Sequence, residues 1–402
     1  MDQAHQQDPI VVRTRLAPRY YEEFQCLAGA CRDTCCAGWG ITFSKKDYLK
    51  IKRAPKSPDV EELTRQAMRR LPRGQTHYAE FLAKEGPCPF QSAEGLCRLQ
   101  LACGAETLPQ VCQRFPRHDL YTAMGYEEVM STACEAVVAQ LWDLPEGIDF
   151  VEEPLPRSRW KSYLATRNAL RFPAMREEVI DTLQARALSL PQRLLAVGLL
   201  LDHARQDWED FSLSDWRRRA ALLREDPTLT RKLTEKMNNI SKFLAANVKV
   251  ALMMQNAGKP VGDLLEGIRV TRKETEQGSL EFHYNVEAYQ QARQAFADHF
   301  GDCDYFFENL LVNQAFWMKV PAVDSPEALW KSYVELCSTY SFFRFMAVLS
   351  CGLTPSREKL FHGIVLASRG LMHNRDFRTG LRDQFFENQN ESLAHMAMLV
   401  QA

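Results

Sequence analysis

The chain carries no C-x2-C pair, no G-x-G-x-x-G after a strand-like run, and no apolar stretch longer than Leu194–Leu201. The first absence removes the usual zinc knuckle. The second removes a Rossmann nucleotide cradle, since Gly38-Trp39-Gly40 lacks a third glycine and runs into Ile41-Thr42-Phe43. The third leaves nothing long enough to span a bilayer, and Met1–Ile10 is polar, without the apolar centre of a secretory signal. Charge of one sign is missing too: 50 Lys and Arg face 51 Asp and Glu, a net of -1, so no global field draws the chain to nucleic acid or anionic lipid. Short basic runs, Arg69–Arg73 and Arg217–Arg219, are flanked by acids and read as solvated helix faces. The expectation is a cytoplasmic protein with no nucleic-acid partner and no transmembrane segment. Peripheral membrane association and oligomeric state stay open.

What is present is cysteine, unevenly placed. Of twelve, nine lie early: Cys26, Cys31, Cys35, Cys36, Cys88, Cys97, Cys103, Cys112 and Cys134. Cys303, Cys337 and Cys351 stand alone in apolar surroundings and read as core residues, because a free thiol packs like a small hydrophobe. A reducing cytosol argues against a disulfide scaffold. One cluster reads C-x4-C-x3-C-C from Cys26 to Cys36; a second runs from Cys88-Pro89-Phe90 to Cys97, Cys103 and Cys112. Thiolates a few residues apart on glycine-containing loops can meet on one centre without a long closure cost. Sulfur ligands suit zinc, copper(I) or iron–sulfur centres. Adjacent cysteines and three- to four-residue gaps favour an iron–sulfur cubane, whose irons are spread apart and take one thiolate each. The spacing leaves zinc and ordinary reduced cysteines open as alternatives.

The fold class reads as mainly α, a cysteine-rich loop-and-helix N-terminal region followed by a helical C-terminal domain. The cysteine-rich, cluster-binding region is expected over residues 1–145 and the helical domain, a candidate for substrate recognition, over 159–402. Pro145, Pro154 and Pro156 mark the boundary. Ser57-Pro58 predicts a helix through Leu71, and a helix carrying Cys134 is expected over Glu127–Leu141. Later helices are expected at Trp160–Phe172, Glu177–Ala187, Pro191–Ala204, Leu213–Leu223, Thr228–Asn247, Val286–Phe300, Tyr305–Met318, Pro326–Leu349, Pro355–Leu371 and Asp376–Leu399. Ser325-Pro326 and Thr354-Pro355 supply start signals. The best strand-like run is Ser279–Tyr284.

The residues Phe24–Cys26, Cys35-Cys36-Ala37-Gly38-Trp39, Cys88-Pro89-Phe90 with Gly95-Leu96-Cys97, Leu108-Pro109 with Cys112, Phe115-Pro116-Arg117 and Cys134-Glu135-Ala136 resemble the flagellin lysine-N-methylases. These lie within a wider group of iron- or zinc-chelating cysteine proteins. A fainter similarity covers Tyr305–Asn313. The resemblance implies lysine N-methylation of flagellin, S-adenosylmethionine as donor, and a cysteine-bound [4Fe-4S] cluster. It implies a ligand set drawn from Cys26, Cys31, Cys35, Cys36, Cys88, Cys97, Cys112 and Cys134, more than one cubane needs, with Cys31, Cys35 and Cys36 first. Cys103 falls outside the matching pattern. The C-x3-C-x2-C triplet of standard radical S-adenosylmethionine enzymes is absent, so both radical transfer and direct displacement remain open.

No catalytic side chain or donor-binding residue is identifiable from sequence. Asp33 reads first as a turn residue, Trp39 as packing against the cluster loop, and His77 and His118 as surface or satisfied histidines. The competing class is a non-enzymatic zinc-binding module that docks another protein.

Overall fold

A computed structural model describes residues 10–37, 40–82, 86–122, 125–163, 166–237, 239–256, 261–274, 280–373 and 375–401. Trp39 and its neighbour Gly38 lie outside them. The fold is mainly helical, as the apolar periodicity requires. Its largest core links Ala17, Tyr20, Met130, Val137 and Ile148 to apolar residues of nearly every helix from Phe172 to Val400. Packing therefore runs across the 145/159 boundary expected from composition. A separate small cluster, around Ile51, Phe43, Phe81, Phe90 and Leu99, underlies residues 41–112.

Four short strands form one sheet in the order Arg117–Tyr121, Tyr126–Met130, Thr14–Pro18, Phe150–Pro154. Thr14–Pro18 and Tyr126–Met130 run parallel, and the other pairs antiparallel. The sheet is pinned to the helices by Glu127, which takes hydrogen bonds from Arg176 Nη1 (2.9 Å) and Nη2 (2.7 Å) with both side chains wholly buried. The run Tyr305–Asn313 lies in the helix Asp304–Met318, whose polar residues face inward. Asn309 donates to the Leu141 and Leu144 carbonyls, Asn313 to that of Met130, and Glu308 pairs with Arg193 at 2.6 Å. Asn309 and Asn313 thus tie backbone carbonyls of the N-terminal region to this helix.

Helix ends differ from expectation where tertiary contacts override local signals. The helix capped at Ser57 stops at Ala67, because Met68–Arg70 turn into a strand against Ala79–Phe81. Glu127 belongs to a strand, and the helix beyond it, Glu135–Trp142, starts only after Cys134. Pro173 does not end a helix: Arg167–Leu183 passes through it, carried by the buried face Phe172, Met175, Val179 and Leu183. Thr228–Asn247 is split into Thr228–Met237 and Ile240–Asn256, and the last stretch into Arg375–Glu387 and Leu393–Leu399. Ser356 rather than Thr354 caps Arg357–Met372, its oxygen accepting from Lys359 N. Pro326–Cys351 starts at its Ser325 cap as expected and buries Tyr340, Phe342, Phe343 and Phe345. Within the described residues, Leu280–His283 pairs with Thr271–Glu274. No helix among the described residues is long and apolar enough to cross a membrane.

Candidate metal and methyl-transfer site

The first cysteine loop has little regular structure of its own, a single 3-10 turn at Ala28–Ala30, and is held from outside. Its main anchor is Glu135, in the first turn of Glu135–Trp142. The carboxylate accepts from the backbone N–H of Arg32 (2.7 Å) and Asp33 (3.1 Å) and from Arg32 Nε (3.0 Å) and Nη2 (2.8 Å). Cys31 Sγ lies 3.5 Å from it. Burial works against the charge, but these donors win and hold the carboxyl below its ordinary range. From the other side, helix Arg357–Met372 reaches the same loop. Arg369 Nη2 donates to the Asp33 and Thr34 carbonyls (2.6 and 3.1 Å), and His362 Nδ1 meets Asp33 Oδ1 at 2.8 Å.

The second cysteine loop is joined to the first at three points. Cys88 N donates to Cys36 O at 2.5 Å, and Gln91 Nε2 to Thr34 Oγ1 at 3.1 Å. The third point explains two glycines. A Cβ on Gly29 would stand 2.6 Å from the Glu94 carbonyl, and Gly95, with φ +76°, packs its backbone against Gly29. Two loops sixty residues apart in sequence (roughly, counting between their centres) thus meet backbone to backbone.

Between them lies a cavity of about 290 Å³ lined by Cys26, Cys31, Cys35, Cys36, Cys97 and Cys134, with Asp33 and an apolar rim that includes Phe24, Leu96 and Phe115. Cys88 and Cys112 pack behind it in the small core, beside Cys36 and Cys97. All eight cysteines singled out from sequence therefore border one region. Cys103 is in the same core with its thiol donating to the Pro55 carbonyl at 3.4 Å. All twelve cysteines are free, and Cys303, Cys337 and Cys351 are buried. Among the described residues no three Cys, His, Asp or Glu side chains are drawn together tightly enough to grip a single ion.

Burial and neighbouring negative charge govern the protonation of these thiols. Burial pushes the Cys31 thiol up to about 12, helped by the Glu135 carboxylate, and Cys88 and Cys134 up to about 11. Burial raises Cys112 as well, with further opposition from neighbouring sulfurs. Cys35 hydrogen-bonds Cys36, so the pair holds its first negative charge on Cys36. Without added positive charge most of these sulfurs remain protonated; a bound metal supplies the charge that makes them thiolates. Soft donors, a shared cavity and an apolar rim suit an iron–sulfur group.

Sequence alone did not reveal the clamps. Glu135 follows a cysteine, a visible neighbour, but nothing linked its side chain to Arg32. His362 and Arg369 sit more than three hundred residues from the loop they hold and carry no spacing signal. Asp33, expected as a turn residue, is buried between them.

Residues 176–399 match the model of the FliB lysine N-methylase C-terminal domain. Two curated relatives are each 29% identical. One, named lysine-N-methylase, from Salmonella typhimurium, aligns over 143 residues, 34% of this chain and 35% of the relative. The other, named flagellar biosynthetic protein FliU, from Salmonella muenchen, aligns over 141 residues, 34% of this chain and 81% of the relative. The chain thus spans about a third of the length of the first relatives it matches. No solved structure matches. With more than half its residues under the family model, the chain belongs to the FliB lysine N-methylase family.

Proposed function

We propose that this protein N-methylates lysine side chains of flagellin in the cytoplasm, takes the methyl group from S-adenosylmethionine, and depends on a [4Fe-4S] cluster held by cysteines around the thiol cavity. The observation that carries the reading is the convergence of Cys26, Cys31, Cys35, Cys36, Cys97 and Cys134 on one cavity, in a chain of the lysine N-methylase family. The flagellar name of one relative supports flagellin as the acceptor. Cys31, Cys35 and Cys36 are the first candidates to hold the cluster, and Cys134 and Cys97 line the same cavity. When bound, such a cluster supplies Lewis-acid iron or an electron to the donor. The protein's own part is to hold the loop. Glu135, Arg369 and His362 fix Arg32 to Thr34, and with them the direction of the flanking cysteines.

The test is anaerobic purification followed by incubation with flagellin, labelled S-adenosylmethionine and a reductant. Protein carrying iron and sulfide should transfer label to lysine. Cys35→Ala with Cys36→Ala should lose iron and transfer together. Full transfer by that double variant removes the cluster from the reaction. A colourless protein loaded with zinc and inactive on flagellin would favour a zinc-stabilised docking module instead.

A further inference from the structure

The wall formed by Phe115 and Pro116 is shared by two hollows. One is the thiol cavity; the other is a cleft of about 450 Å³ that opens to solvent. Its size falls in the usual range of ligand sites. The Trp317 and His118 rings lie 4.5 Å apart, and His373 approaches Phe115 at 5.9 Å and Trp317 at 6.2 Å. We propose that this cleft receives the target lysine side chain, and that the His118 imidazole accepts its ammonium proton. The inference rests on the lysine-methylation reading above and adds the residues that would handle the acceptor.

Three observations support it. A lysine carried by a protein needs a site that a macromolecule can approach, and this cleft is the more open of the two hollows. Trp317 and Phe115 offer aromatic surface to the four-carbon stem, which gains by leaving water. The charged surroundings are cationic: Arg114, from the preceding helix Gln110–Arg114, and Lys319, at the end of helix Asp304–Met318, act on His118. The facing carboxylate, Asp119, is engaged by Arg114 and by Tyr126 Oη at 2.7 Å. On the adjacent helix end, His373 is held by Ser131 Oγ at 2.9 Å.

That field favours a neutral amine over an ammonium, the same effect that activates lysines beside other cations. Packing and the positive charges of Lys319 and Arg114 hold His118 below its ordinary value, so at neutral pH it is an unprotonated acceptor. The balance is simple. The ammonium gives one proton to the imidazole, which passes it to solvent at the open side of the cleft, leaving a neutral amine and a neutral imidazole. The amine lone pair then forms the N–C bond while the donor's S–C bond breaks, and the sulfonium's charge ends on the methylated nitrogen.

The experiment uses full-length, iron-loaded protein and flagellin. Trp317→Ala should raise KM for flagellin about tenfold with iron content unchanged, and Trp317→Phe should restore most of it. His118→Gln should lower kcat at least a hundredfold, in the range of general-base catalysis, and erase the acid limb of the pH–rate profile. An unchanged KM in Trp317→Ala together with a wild-type pH profile in His118→Gln places the lysine elsewhere and overturns the inference. Wild-type protein that neither binds nor methylates flagellin overturns the proposed function, and the assignment of this cleft with it.

Discussion

Between Ile41 and Leu108 the apolar core is one small cluster around Phe43, Phe81 and Phe90, whereas the helices from Val286 to Met372 bury Phe306, Phe307, Tyr333 and Phe345 in a core that runs through most of the chain. A cluster that small stabilises little by itself, and small cores of this kind are commonly supplemented by a metal or a cross-link. The helical part needs no such help. The cysteine loops lean on it through Glu135, Arg369 and His362, and on each other through Gly29 and Gly95. Apolar bulk builds the support, and the thiols occupy a region whose order depends on contacts and charge supplied from outside it.

The largest expected effect comes from breaking the buried pair that pins the sheet to the helices of the large core. Arg176→Met leaves the Glu127 carboxylate wholly buried with its guanidinium partner gone. Breaking one half of such a pair costs about 3–5 kcal/mol. Urea unfolding should show that loss as one cooperative shift, because the sheet and the large core are continuous across the joint. A loss below about 1 kcal/mol would mean that the sheet is held by packing alone, the paired charges adding little.

A smaller and more local effect is expected at the loop clamp. Glu135→Gln replaces a charged acceptor of four N–H donors with a neutral amide. The cost should be about 1–3 kcal/mol, felt in the cysteine loop before the helices. The sign of the pH dependence follows from the direction of the shift. The Glu135 carboxyl sits below its ordinary value when folded, so its contribution is complete above that ordinary value and is lost as pH falls through the lowered one. The protection of residues 26–36, read as hydrogen–deuterium exchange relative to the intrinsic rate at each pH, should therefore fall in acid in the wild type. The glutamine variant should exchange faster at neutral pH and lose that acid sensitivity.

Much of the helical part was legible because apolar periodicity reports burial directly. Val286–Phe300 and the Ser325 cap fall where the pattern puts them. Boundaries failed where a distant partner decided them: Met68–Arg70 became a strand through Ala79–Phe81, and the Pro173 signal lost to a continuous buried face. At the site, clustering of cysteines along the chain foretold their clustering in space, since short loops keep neighbours together. The residues that orient them were hidden for the opposite reason. Arg369 and His362 reach the site from a helix whose sequence reads only as amphipathic.

The smallest effect sharpens the same comparison from within the thiol region. Cys97 and Cys103 are six residues apart at the two ends of one short helical segment, yet they face different surroundings. Cys97 lines the cavity, while Cys103 donates to the Pro55 carbonyl away from it. Cys103→Ser keeps a donor of similar size at that carbonyl, so stability should change by no more than about 0.5 kcal/mol. Iron per chain should be unchanged. Cys97→Ser places a hard oxygen where a soft sulfur borders the cavity, and iron per chain should fall. Equal iron loss in the two variants would show that position along the chain, not orientation into the cavity, governs which thiols matter.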